Sequence, residues 1–167
     1  PIGLTNDWNC LYTDSLQHIL IGPPARIYSH GSETGDGYDL SGISCIGCNF
    51  TDILLSLSKL ANADLRNTNF TDASAQAVDF SFTNLSGADF TDSNLDRSLF
   101  VLTDLSGAIL SGSYFNNADF IDPDFSNADL SNAYFGSASI QNVLWDNTIC
   151  PDGTNSDDNG NTCENNL

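Results

Sequence analysis

From Leu40 to Trp145, every fifth residue of the chain is apolar. The series runs Leu, Cys, Phe, Leu, Leu, Leu, Phe, Ala, Phe, Leu, Phe, Leu, Phe, Leu, Leu, Phe, Phe, Phe, Leu, Phe, Ile, Trp. With 40% apolar residues overall, chance would give an unbroken run of that length only about once in 10⁹ trials. Of the phenylalanines, only Phe82 stands off this register. Two residues before each large one there is usually something small, as at Ala63, Ala73, Ala88, Ala108, Ala118, Ala128 and Ala133. Tyr38, Ile43 and Ile53 are the bulky exceptions, and they cluster at the start.

Neither regular element satisfies this period. Steps of five rotate about 140° around a helix, which would smear the apolar set over every side. In a straight strand an odd step sends successive large residues to opposite faces. A short extended piece works if its small and large residues both point inward and the next two residues bend the chain. Those two positions are rich in turn formers, as in Ser41-Gly42, Ser86-Gly87, Ser106-Gly107, Ser111-Gly112 and Ser131-Asn132. Bends repeated in one sense close the chain into a coil, and stacked coils pair through the backbone about 4.8 Å apart.

The phenylalanines set the number of units per turn. On the register they recur at a separation of 20 in the pairs 50–70, 70–90, 80–100, 100–120 and 115–135. Separations of 15 and 25 are rarer, so four units per turn is the expectation. Phe50, Phe70 and Phe90 then stack along the axis, as do Phe80, Phe100 and Phe120, and Phe115 with Phe135.

The units ANADL, GADF, NADF and SNADL resemble those of the pentapeptide-repeat family over residues 38–147. The resemblance implies an all-β solenoid, a right-handed quadrilateral β-helix with the small and large residues inside. Four pentapeptides per coil give about five and a half coils, a rod roughly 26 Å long. Tyr38, Ile43, Ile53, Cys45, Cys48 and Pro123 depart from the family's pattern.

The ends need covers, since an open coil exposes unpaired backbone and apolar side chains. In residues 1–37 the spacing of Trp8, Tyr12, Leu16, Ile19 and Leu20 predicts a short amphipathic helix, stopped by Pro23-Pro24 and followed by a loop. This helical cap would lie across the first coil. Residues 148–167 form the tail, in which a Cys150–Cys163 bridge would close a loop over the last coil. Cys10 would pair with Cys45 or Cys48 to tie down the first cap.

Net charge is −18, from 22 acids against 4 bases. Such a surface repels phosphates, so no direct nucleic-acid binding is expected. No apolar run reaches the ~18 residues of a membrane span. There is no Met, the chain opens at Pro1, and there are five cysteines. These point to an extracytoplasmic protein freed of an export signal: periplasmic, secreted, or in the thylakoid lumen if the source is a cyanobacterium.

Chemistry is sparse. His18 and His30 have no evident nucleophile or metal partner. Asp52, Asp72 and Asp92 fall on equivalent rungs, but on a convex rod they read as a solvated face. Asn155, Asp157 and Asn159, followed by Gly160, resemble the start of a calcium loop whose bidentate Glu is missing, Asn166 standing in its place. No cofactor is expected.

Off the register, Phe82, Leu99, Val101, Leu102 and Ile121 map to one outward wall of neighbouring coils. That wall is a candidate for self-association or for an unknown protein partner. Leu54, Leu57, Tyr114 and Tyr134 form a weaker candidate on another wall. The expectation is therefore a non-catalytic, exported structural or protein-interaction module. The alternative comes from the resemblance: some members of the family inhibit DNA gyrase by imitating the shape and charge of DNA.

Overall fold

The structure, a computed structural model, describes residues 37–167 and, by their backbone, residues 9–13, 16–22 and 26–28. Two corner positions recur along the coil, and they set the whole architecture. The first is an ordinary turn residue, and the second takes the left-handed conformation, for example Asn62 (φ 61°), Asp72 (φ 57°), Gly87 (φ 67°) and Asn132 (φ 59°). Gly, Asn and Asp occupy this conformation at least cost, which is why they crowd the sequence two residues after each large one.

Between corners, three residues run extended and form one wall. Wall one stacks Asp39, Lys59, Asp79, Leu99, Asp119 and Ser139 in parallel, each pair 20 residues apart. Wall two stacks Ser44, Asp64, Asn84, Asp104, Asp124 and Leu144. Wall three carries Asn49, Asn69, Asp89, Ile109, Asp129 and Ile149, and wall four Leu54, Ser74, Asn94, Tyr114 and Tyr134. Four walls per 20 residues make the coil a quadrilateral. Backbone groups are paired rung to rung: Leu40 N–H donates to the Lys59 carbonyl and Lys59 N–H to the Tyr38 carbonyl, both at 2.7 Å.

The axis is dry. Leu55, Leu65, Phe70, Ala75, Phe80, Leu85, Phe90 and the register residues from Leu95 to Leu130 are fully buried, whereas Ile140 is partly so. Phe70 and Phe90 stack with centroids 4.6 Å apart, Phe50 lies tilted against Phe70 at 5.2 Å, and Phe80, Phe100 and Phe120 stack at 5.3 and 4.7 Å. Phe115 stacks on Phe135, and Phe125 on Trp145. The columns meet edge to face, as Phe80 does Phe90 at 5.9 Å. Hydroxyls that take the small inward position are satisfied on the main chain: Thr68 donates to the Cys45 carbonyl and Thr103 to that of Phe80, both at 2.9 Å. Pro123 fits because the N–H it lacks makes only a local turn bond in other units, as Ala128 N–H does to the Phe125 carbonyl, and its carbonyl still accepts from Leu144 N–H across the rungs. The bulky Tyr38, Ile43 and Ile53 are buried within the first coil.

The outward position just before each large residue explains much of the acidity. Its Asp or Asn oxygen accepts from the backbone N–H two residues on, across the coming corner. Ser81 N–H donates to Asp79, Thr91 to Asp89 and Ser131 to Asp129, each at 2.9 Å. These are Asx turns. The acids are part of the folding code of the coil as well as of its surface charge.

The N-terminal segment corrects the expected helix. β1 (Asn9–Thr13), β2 (Leu16–Gly22) and β3 (Arg26–Tyr28) form an antiparallel sheet in that order. Cys10 sits opposite Leu20, and Leu11 opposite Ile19. Helical spacing of Tyr12, Leu16, Ile19 and Leu20 misled because the same stretch holds the runs Cys10-Leu11-Tyr12 and Ile19-Leu20-Ile21. Such short apolar runs favour pairing in a sheet, and periodicity alone does not separate the two. Trp8, Pro23, Pro24 and most of the following loop lie outside the described residues. Three further strands lie on wall one: β4 (Leu99–Val101), β5 (Asp119–Ile121) and β6 (Ser139–Gln141), paired in parallel.

At the C-terminus the chain leaves the coil after Ile149, which pairs antiparallel with Asn155. A 3₁₀ turn, Ser156–Asn159, follows. Ser156 is buried, and its hydroxyl donates to the Trp145 carbonyl at 2.8 Å. Cys150 and Cys163 are bonded, with Cα atoms 5.3 Å apart, and both are fully buried.

Candidate functional site: an apolar corner on an acidic rod

The five off-register apolar residues come together, but around a corner instead of on one flat wall. Phe82 and Leu102 are successive second-corner residues between walls one and two, and Val101 and Ile121 are successive first-corner residues there. Phe82 N–H donates to the Val101 carbonyl and Leu102 N–H to that of Ile121, both at 2.8 Å, so these residues sit on touching rungs. Leu99 adjoins them on wall one. Phe82 is 55% exposed, Leu102 53% and Leu99 37%, with Val101 and Ile121 partly covered.

The backbone at this corner is unusual for its side chains. Phe82 has φ 60° and Leu102 φ 52°, whereas the same column elsewhere holds Gly42, Asn62, Asp122 and Asn142. A left-handed Phe or Leu costs about 1 kcal/mol or more relative to Gly or Asn. Sequence reading missed this strain, although the signal was present. Two residues after the inward Phe80 and Phe100, where a turn former belongs, stand Phe82 and Leu102.

Carboxylates frame the patch. Asp79 and Asp119 flank Leu99 on wall one, Asp104 and Asp124 stand on the adjoining wall two, and Asp122 follows Leu102 in its column. Lys59 lies two rungs from Leu99 on wall one, and Arg97 at the far corner of that wall. Arg66 is engaged elsewhere, donating to both Asp64 oxygens at 2.7 and 2.8 Å. The Arg66 hydrogen bond holds the Asp64 carboxyl below the usual carboxylate range. The Ser41 and Thr154 side chains do the same for Asp39 and Asp152.

The second apolar set is divided. Tyr114 and Tyr134 are adjacent on wall four, whereas Leu54 and Leu57 belong to the first coil, beyond Ser74 and Asn94. Ile46, Ile109, Leu144 and Ile149 are also exposed and were not singled out from sequence. The last three occupy the outward position normally held by Asp or Asn, which is how they can be read from the register.

The cysteine expectation needs one correction. Cys45 and Cys48 are bonded to each other, with Cα atoms 5.5 Å apart, so neither pairs with Cys10. Both belong to the inward set of adjacent walls, and the corner between them brings their Cβ atoms into disulfide range. Both are buried. In the tail, the Asn155 side chain caps the 3₁₀ turn by accepting from Asp157 N–H, and an Asp157 oxygen accepts from Asn147 N–H, both at 2.9 Å. The Asn159 amide donates to the Thr154 hydroxyl. Asp157 and Asn155, both bonded to Asn147, hold the tail to the rod, and the other contacts order the tail itself. Among the described residues, no three His, Cys, Asp or Glu side chains gather as a metal site. His18 lies in β2, and His30 outside the described residues.

No helix among the described residues is long and apolar enough to cross a membrane. No curated protein sequence matches the chain. Solved structures similar to it include HetL, a pentapeptide repeat protein involved in heterocyst differentiation regulation from the cyanobacterium Nostoc sp. strain PCC 7120. That likeness is 15% identical, covers 75% of this chain and 94% of HetL, and has a TM-score of 0.44. A pentapeptide repeat protein of the Arabidopsis thaliana thylakoid lumen is 22% identical over 79% of this chain and 77% of its own, with a TM-score of 0.35. QnrB1, a plasmid-mediated fluoroquinolone resistance protein, is 24% identical over 65% of this chain and 78% of its own, with a TM-score of 0.28. The family model for pentapeptide repeats matches residues 39–74, 76–101 and 98–136 in 8 copies. With its inward Leu/Phe register, left-handed corners and 20-residue coil, this chain belongs to the pentapeptide-repeat family.

Proposed function

We propose that this chain is a non-catalytic protein-interaction module that works outside the cytoplasm. The apolar corner of Phe82, Leu99, Val101, Leu102 and Ile121 carries the reading. It is a patch of roughly a few hundred Å², near the largest a soluble monomer leaves bare. Its rigid support suits binding, because stacked phenylalanines lie directly beneath it. The two disulfides support an oxidising compartment.

The test is a photo-crosslinking residue at Ser81, beside the patch, in protein incubated with extract from its own source. A discrete adduct, lost when Phe82 and Leu102 are replaced by Asn, is expected. Adducts that persist unchanged in that variant overturn the assignment of the surface. Alkylation without reduction should label one cysteine of the five, and labelling of all of them would overturn the compartment.

The rival reading, an acidic imitation of DNA that inhibits an enzyme such as gyrase, draws on the carboxylates repeated along the rungs of the coil. A gyrase supercoiling assay separates the two. Inhibition that survives loss of the apolar corner favours the imitation.

A further inference from the structure

We propose that the Phe82–Leu102 corner receives a cationic, amphipathic segment of a partner protein, and not a second copy of this chain. The inference deepens the interaction reading above and rests on it. Two independent observations support a ligand here. First, Phe82 and Leu102 both hold the left-handed conformation, in a column whose remaining rungs have Gly, Asn or Asp. Both side chains are more than half exposed and on touching rungs, so the strained positions coincide with the bare surface. Leu57, Ala77 and Arg97 hold the same backbone in another column, but among the described residues only Phe82 and Leu102 set two large apolar side chains on touching rungs in this conformation, where Asn would suit the coil better.

Second, the frame of the patch is mostly acidic. Asp79, Asp119, Asp104, Asp124 and Asp122 stand around it, against Arg97 at the far corner of Leu99's own rung and Lys59 two rungs away. A two-fold dimer would set this patch, with its carboxylates, against itself. In a chain of net charge −18 that juxtaposition opposes self-pairing. A segment with apolar side chains flanked by Lys or Arg satisfies both features. Its apolar anchors would meet Phe82 and Leu102, about 4.8 Å apart along the rod. Its cations would meet carboxylates on either side.

Three synthetic peptides of equal length serve as probes: one of Lys and Leu, one of Glu and Leu, and one of Lys and Ser. Binding to the full chain is read by fluorescence anisotropy at physiological salt. The Lys–Leu peptide should bind at least about tenfold more tightly than either other. Phe82→Asn with Leu102→Asn keeps every charge and suits the left-handed backbone, so it should melt no lower than the parent. That variant should lose about tenfold for the Lys–Leu peptide and stay unchanged for Lys–Ser. Asp104→Asn with Asp122→Asn keeps the turn acceptor and the corner conformation while removing two charges. It should weaken Lys–Leu binding and reduce its salt dependence.

Equal binding of the Glu–Leu peptide overturns the cationic partner and leaves the interaction surface standing. So does a concentration-dependent dimer in sedimentation that disappears with Phe82→Asn and Leu102→Asn. If no peptide binds in a way that depends on Phe82 and Leu102, and the chain stays monomeric, both this inference and the interaction reading fall.

Discussion

Phe70 and Phe90 stand one coil apart with ring centroids 4.6 Å apart and planes within 3° of parallel. Both are fully buried, and Phe80 meets each edge-on. Ring contacts thus run from Phe50 to Trp145 along the axis, stacked or tilted within the columns and edge-on or tilted between them.

Phe90→Ala should therefore destabilise the rod by about 3–5 kcal/mol, because neighbours on fixed rungs cannot close the cavity. Phe90→Asp should unfold it, since a carboxylate there has no partner. Chemical denaturation followed by circular dichroism measures both. Native stability in Phe90→Asp would mean that the inward register is misassigned.

Leu57 has φ 64° and is 64% exposed, so it shares the backbone strain of Phe82 without belonging to its patch. Leu57→Asn should stabilise by about 1 kcal/mol, through relief of the left-handed Leu. The melting temperature reports it. A fall would show that the Leu57 side chain makes contacts that outweigh its conformation.

The Cys150–Cys163 bridge closes the tail over the last coil. Cys163→Ser should lower stability of the tail by about 3 kcal/mol on the loop-entropy model. In hydrogen exchange, Ser156 N–H, bonded to the Thr148 carbonyl, should lose protection, while Phe90 N–H, bonded to the Ile109 carbonyl, should keep it. Equal loss at both amides would make the staple essential to the whole rod.

Acid should act on the Asp64–Arg66 pair in a defined direction. The Arg66 hydrogen bond depresses the folded pKa of Asp64 below its unfolded value near ~3.9. The pair's contribution is therefore complete above that unfolded value and is lost as pH falls through the lower folded one. Arg66→Gln should raise the Asp64 titration midpoint toward the unfolded value, as read by carboxyl carbon NMR. An unmoved midpoint would assign the shift to another group. Arg66 is exposed and Asp64 partly so, so the effect on global stability should be small.

The period of five determined the coil from sequence alone. Its register named the buried residues, and the recurrence of Phe at 20 residues gave the four walls that the ladders show. This was legible because each unit repeats the same local demand: two inward side chains, then two residues that turn. The roles of the outward acids as turn acceptors were less visible, since Asp on a surface has many uses and only the hydrogen bonds distinguish them.

Tertiary structure decided the rest. Phe82, Leu99, Val101, Leu102 and Ile121 were legible as neighbours, but the fold wrapped them around a corner and put Phe82 and Leu102 into left-handed backbone. It bonded Cys45 to Cys48, because a corner turns two inward residues on adjacent walls toward each other. At the N-terminus it built β1, β2 and β3 where spacing alone predicted a helix. That segment lacks a repeat, so no register ties its local pattern to a global shape, and antiparallel pairing between strands adjacent in sequence settled its form.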